Sequence, residues 1–391
     1  KYQAMPSRGT SSGSGGPSAV PRTFALRKLT SRPAMDRESA KTKWGILSGA
    51  IRQIFRHDAS ELSFEDLYRN AYNLVLHKFG DLLYDGVSGE ITAHLRSVVE
   101  KIRDQHGTAE DGNVLLRAIT EAWSDHHLTM IMVRDILMYM DRTYVPLQRR
   151  RPVYDLGLHL FRTSVWEASG IRDRLSRTML DNVREERGGR IVAREVMRAA
   201  CSMLVELGRV DGSDVHGRDF EEPFLAETAT FYRSEGAAYM ASGCASDYVR
   251  RAETRLGEEA KRAANYLAPG TGAPLRSILD RELIEVHAEA LVASPGSGVA
   301  HMIERVEVDG LKAFYRLFNR VPKTLDVLRD AVATHVRETG KALHVAGNGP
   351  VAFVKGVLEM RDRYGIVVND AFGGEKRAQK RVADAFEDFI N

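Results

Sequence analysis

From about Lys41 to the end of the chain, apolar side chains return at every third or fourth position, with proline and glycine punctuating the runs. That spacing lines apolar residues along one stripe of a helix, and no hairpin dipeptide stands between alternating segments. The chain therefore reads as all-α. At 391 residues it suits two or three domains, or one elongated repeat array. Breaks at "DRTYVPLQRRRPVY", around Pro146–Pro152, and at "YLAPGTGAPL", around Pro269–Pro274, divide the helical part into residues 41–148, 149–270 and 271–391. Segments of similar length with short breaks suit a solenoid, which buries its core by stacking neighbours. A weak echo between "FEDLYRNA" at Phe64 and "FEEPFLAE" at Phe220 adds slight support for a repeat.

Residues 1–40 differ in kind. Ser7–Arg22 is rich in glycine, serine and proline and cannot bury enough apolar surface to order itself. "RTFALRKL", Arg22–Leu29, follows as a short apolar and basic stretch. The net charge of +3 divides into +6 over residues 1–35 and −3 over the remainder. A basic tail on a mildly acidic body reads first as a solubilising leader and second as a nucleic-acid contact. Two cysteines, Cys201 and Cys244, are too few for a disulfide framework or a four-cysteine zinc site, and fit a reducing compartment. No run of 18 apolar residues and no secretory signal is visible, so no membrane span is expected.

Local chemistry is sparse. Gly340–Lys341 lacks the upstream glycine and the following serine or threonine of a phosphate loop, and "GNGP" at Gly347 reads as a loop. His126 and His127 are adjacent, so they point to different sides of a helix and cannot share a metal. "ASGCAS" around Cys244 reads as a small polar loop or helix boundary without a basic helper. No nucleophile elbow is present. Nothing local supports an active site or a cofactor, although distant residues can converge to form one.

The stretch "LSFEDLYRNAYNLVLHKFGDLLY", Leu62–Tyr84, carries five aromatic residues. Ser63 suits an N-cap, Asp66 completes a box-like pattern, and Leu62 with Leu67 suits a hydrophobic staple. Glu65 and Asp66 occupy the first turn, where the helix dipole favours negative charge. At about 100° per residue, Leu67, Ala71, Leu74 and Val75 form the central apolar face. Phe64, Tyr68, Tyr72 and Phe79 run along one flank, where rings with polar tips serve either as a core edge or as binding anchors. A second stretch, Leu128–Val145, is apolar on nearly every side, and its spacing puts Ile131, Asp135, Met138, Tyr139 and Arg142 on one face. Methionine, tyrosine and arginine are enriched at interfaces, so a groove between the two stretches could hold a partner.

These stretches, "MIMVRDILMYMDRTYV" included, resemble the amino-terminal region of the cullin family, its cullin-3 type in particular. The likeness continues through "YDLGLHLFR", "IRDRLSRTMLDNVREERGG", "DFEEPFLAETATFY", "RELIEVHAEALV", "YRLFNRVPKTLDVLRD" and "VRETGKAL", and covers about residues 41–391. The resemblance implies a curved stalk of three cullin repeats, each a five-helix bundle, acting as a non-catalytic scaffold of a ubiquitin-protein ligase in the cytoplasm and nucleus. It implies a BTB-domain substrate adaptor, itself dimeric, on the second and fifth helices of the first repeat. Matched motif to motif, the contacts are Leu62, Ser63, Phe64, Glu65, Tyr68, Tyr72, Tyr139 and Arg142, with Asp135 and Met138 added from the shared face. Phe79 and Tyr84 are left to the core. An apolar anchor in the amino-terminal extension would be Phe24, Leu26 and Leu29, although "TFALRKL" matches the family poorly. The RING-box protein and the modified lysine belong to a carboxy-terminal region outside these residues. The rival readings are a helical solenoid that binds nucleic acid through its basic tail, and another helical tethering scaffold.

Overall fold

The computed structural model describes residues 35–106, 111–168, 170–241, 243–345 and 349–390. Among these there are helices and no strands. Phe24, Leu26 and Leu29 lie outside the described residues.

The first five helices are α1 (Arg37–Phe55), α2 (Phe64–Leu76), α3 (Gly80–His106), α4 (Gly112–Ile136) and α5 (Met138–Leu147). They are followed by α6 (Val153–Phe161), α7 (Ile171–Arg187), α8 (Arg194–Arg209), α9 (Glu222–Ala241) and α10 (Ala245–Tyr266). The last third holds α11 (Gly272–Leu283), α12 (Ala288–Val292), α13 (Val299–Arg305), α14 (Val308–Phe318), α15 (Pro322–Val345), α16 (Pro350–Ile366) and α17 (Lys376–Ile390). This third is divided more finely than a five-helix pattern implies. Gly296 and Val306 take left-handed backbone, with φ of 70° and 56°, and interrupt the helices between α12 and α14.

Each helix buries one stripe against chain neighbours. α1 packs on α2, α3 and α4, and α2 packs on α5. α3 and α4 carry α6, and α4 also meets α7 and α8. Further along, α9 and α10 pack on α11, and α10 meets α14. Close packing thus runs from one group of helices to the next, as in a stack in which each unit completes its neighbour's core. The result is an all-α helical stalk. In the first group, Leu47 and Ile51 of α1, Leu67, Ala71 and Leu74 of α2, and Leu83 and Val87 of α3 are all buried. Each large apolar side chain buried there contributes roughly 1.5–3 kcal/mol.

Two stretches that read as single helices are each broken. Leu62–Tyr84 contains all of α2 and the start of α3, joined by a turn in which Lys78 takes φ 66° and the Phe79 N–H bonds the Leu74 carbonyl at 2.8 Å. Phe79 and Tyr84 therefore do not continue the flank of Phe64, Tyr68 and Tyr72. Phe79 is half-buried against the core and Tyr84 is buried. Leu128–Val145 is broken at Leu137, with φ −97° and ψ 10°. α4 runs against α1, α3 and α6 while α5 lies across α2, and one straight helix cannot follow both courses. The shared face expected of Ile131, Asp135, Met138, Tyr139 and Arg142 is accordingly split between α4 and α5.

Candidate protein-docking interface

α2 begins where its side chains specify. The Ser63 hydroxyl accepts from the Asp66 N–H at 3.3 Å, and Glu65 and Asp66 fill the acidic first turn. Leu62, just before the cap, is half-buried against the core. With Leu67, Ala71 and Leu74 turned inward, the helix period carries Phe64, Tyr68 and Tyr72 to its flank. Phe64 is 53% exposed and stacks on Tyr68 at 6.3 Å between ring centroids. Tyr68 and Tyr72 are half-buried. Tyr72 meets Tyr139 of α5 at 4.5 Å with the rings tilted by 52°, so the flank of α2 is continuous with α5.

The charges around these rings differ in availability. Glu65 pairs with Arg69 one turn on, and Asp135 pairs with its neighbour Arg134 at 2.8 Å. Arg142 is exposed and has no ion pair among the described residues. Met138 and Tyr139 are half-buried beside it. Among the described residues the seam is therefore a mostly apolar strip with one unpaired cation, Arg142, bordered by acids that already have partners.

Residues without any local signal hold α5 in place. The Tyr144 hydroxyl donates to Asp81 of α3. Arg150 reaches Asp81 and Asp85, and its guanidinium lies 4.7 Å from the centroid of the Tyr84 ring. The Tyr84 hydroxyl donates to the Arg151 carbonyl at 3.0 Å. Gly80 makes the close approach possible, since a Cβ there would lie 2.2 Å from the Tyr144 ring. These residues are more than 60 positions apart in sequence, so only the fold joins them. Asp141 of α5 accepts from the Val153 N–H at 2.9 Å and so ties α5 to the start of α6. Burial pushes its carboxyl up to about 6, against the opposing pull of that N–H.

The remaining chemical candidates are used structurally. His126 is buried and bonds the Gly157 carbonyl at 3.0 Å, while His127 meets the Tyr154 hydroxyl at 2.8 Å. Gly340 and Lys341 lie inside α15, where a Cβ on Gly340 would strike Phe389. Cys244 is the N-cap residue of α10. Among the described residues no group of three His, Cys, Asp or Glu side chains could hold a metal ion, and no helix is long and apolar enough to cross a membrane.

A stack of helices, each group packed on the next, with a ring-bearing flank shared by α2 and α5, defines a helical solenoid. Residues 44–391 match the family described as the cullin alpha solenoid domain, and the chain belongs to the cullin family. It is 39% identical to Cullin-3B of Arabidopsis thaliana, over 95% of this chain and 50% of that protein. It is 34% identical to Cullin-3 of Dictyostelium discoideum, over 91% of this chain and 46% of that protein. With Cullin-3 of Caenorhabditis elegans the identity is 33%, over 93% and 48% respectively. The likeness is thus to the cullin-3 type, and the chain spans about half the length of the curated relatives it matches.

Proposed function

We propose that this chain is the adaptor-binding part of the scaffold subunit of a cullin-3-type ubiquitin-protein ligase. In this reading the α2–α5 seam takes a BTB-domain substrate adaptor, through Leu62, Ser63, Phe64, Glu65, Tyr68, Tyr72, Asp135, Met138, Tyr139 and Arg142. The supporting observation is the contact between Tyr72 and Tyr139, which makes one strip of two helices and leaves Phe64 more than half exposed beside it. An exposed ring next to partly buried ones is the pattern of an anchor that fills a partner's pocket. Arg142 is free to meet an acid on that partner.

The mechanism is geometric. Residues 41–148, 149–270 and 271–391 are proposed as three stacked units, the first holding the adaptor. The stalk fixes the distance between a bound substrate and the transfer machinery and so acts through proximity, with no bond chemistry of its own. A dimeric adaptor would join two stalks about a two-fold axis. The RING-box protein is assigned to a carboxy-terminal region not contained in residues 1–391, and the proposed site of action is the cytoplasm and nucleus. Calorimetry with a purified BTB adaptor tests the site. Phe64→Ala and Tyr68→Ala should each weaken binding by about 2 kcal/mol. If both bind as tightly as the parent, the assigned face is wrong.

A further inference from the structure

A cavity opens on the first group of helices, lined by none of the residues of the α2–α5 seam. It has a volume of about 690 Å³ and is walled by α1, α3 and α4. That volume is in the range of sites that hold a small ligand or a few side chains of a peptide. Its floor is apolar: Phe55 and Ile102 are buried, and Val98 and Ala122 are packed against the core. The ring of His94 stacks on Phe55 with centroids 4.3 Å apart and planes within 10°.

The rim is polar, and its charges do not cancel. Glu90 is consumed by Arg52, which donates to it at 2.7 and 2.8 Å, and by the Ser48 hydroxyl at 2.7 Å. Asp125 faces His57 at 3.8 Å. Arg56 and Lys101 line the same cavity and have no ion pair among the described residues. Neither ring nitrogen of His94 has a hydrogen-bond partner among them. Burial, with Lys101 and His57 nearby, keeps His94 below the ordinary histidine range, so it is a neutral ring that can donate from one nitrogen.

We propose that this cavity is a second docking site, for an acidic peptide segment of a partner protein that carries an apolar side chain. The apolar side chain would lie on Phe55, Val98 and Ile102, and its flanking carboxylates would meet Arg56, Lys101 and His94. Charge complementarity selects this occupant. The chain's own residues 1–35 carry six cations and no acid, so they are the wrong sign for this rim. α1 and α3 carry none of the residues assigned to the adaptor face, and α4, which lends Ala122, Asp125 and Thr129 to the cavity, meets that face only through Asp135 in its last turn, so both sites can be filled at once.

The probe is a short fluorescein-labelled peptide with a central leucine pair flanked by aspartates, read by fluorescence anisotropy against the full chain. Saturable binding is expected. It should weaken by about tenfold when Arg56 and Lys101 are both replaced by glutamate, because attraction becomes repulsion at the same positions. Lys101→Ala, which introduces no like charge, should weaken it to a lesser degree, and circular dichroism confirms that each variant is folded. Phe64→Ala should leave it unchanged, which separates this site from the adaptor face. The proposal is overturned if the peptide does not bind, if the charge-reversed variant binds it equally, or if a peptide with lysines in place of the aspartates binds as well. Loss of binding in Phe64→Ala would also overturn it, since the cavity would then be no separate site.

Discussion

Two sets of rings and charges in this stalk have similar composition and opposite surroundings. On α2 and α5, Phe64, Tyr68, Tyr72 and Tyr139 share a solvent-facing strip with Glu65, Arg69 and Arg142. Between α7, α9 and α10, Arg187 donates to Glu259 at 2.8 Å and to Thr228 at 2.7 Å, and lies 5.2 to 5.5 Å from the rings of Phe224, Phe231 and Tyr232. Arg262 pairs with Glu259 and with Glu186, and the Tyr232 hydroxyl donates to Glu259 at 2.6 Å. The side chains of Arg187 and Glu259 are 4% and 0% exposed. Residue types do not separate the two sets; burial does. An ion pair in water contributes little, whereas a buried carboxylate must keep its partners or become an uncompensated charge. Asp141 makes the same point by contrast. Burial pushes Glu259 up, but Arg187, Arg262 and Tyr232 more than reverse it and hold the carboxylate below its ordinary range. Asp141 has no guanidinium bonded to it, and burial wins.

The comparison can be broken first at its buried end. Glu259→Gln keeps the volume and leaves Arg187 and Arg262 without their shared anion. A loss of about 3 to 5 kcal/mol in urea denaturation is expected, with adaptor affinity unchanged. A loss below that of a surface pair would mean that the buried network does not bear on stability.

Asp141→Asn should act in the opposite direction. Its carboxyl is raised in the folded state, so folding favours the protonated form and stability falls as pH rises from about 4 to about 6. Asparagine can still accept from the Val153 N–H and carries no charge to bury. After allowance for partial exposure, the variant should gain about 1 kcal/mol near pH 8 and nothing near pH 4. Urea midpoints at the two pH values read the difference, and a gain of equal size at both would exclude titration as its cause.

On the exposed side, a double-mutant cycle of Tyr72→Ala with Tyr139→Ala measures the ring contact directly. A coupling of about 1 kcal/mol in stability is expected. Zero coupling would mean that α2 and α5 are held together only by the braces at Tyr144 and Arg150. The smallest effect belongs to Glu65→Gln, which breaks the pair with Arg69. Thermal melts should show a loss of no more than about 0.5 kcal/mol, and a larger one would place that pair in the buried class.

Much of the first group was legible because its signals are local. The Ser63 cap, the acidic first turn and the inward stripe of Leu67, Ala71 and Leu74 need only neighbouring residues, and the structure has them. All-α character was equally legible, since period is a property of the chain. The breaks at Lys78 and Leu137 were not. Neither carries a proline or glycine, and both arise because successive helices pack on different neighbours.

What the chain determines by itself is therefore the helix type, the cap of α2 and the residues of its exposed flank, because capping and periodicity act over a few residues. Tertiary structure alone decided that Tyr72 meets Tyr139, that Tyr144 braces Asp81, and that Glu259 is buried between Arg187 and Arg262. It also decided that Arg56 and Lys101, without an ion pair among the described residues, stand over one apolar floor. Partners tens of residues apart in sequence are chosen by packing, and whether a charge lies in water or in the core follows from that choice.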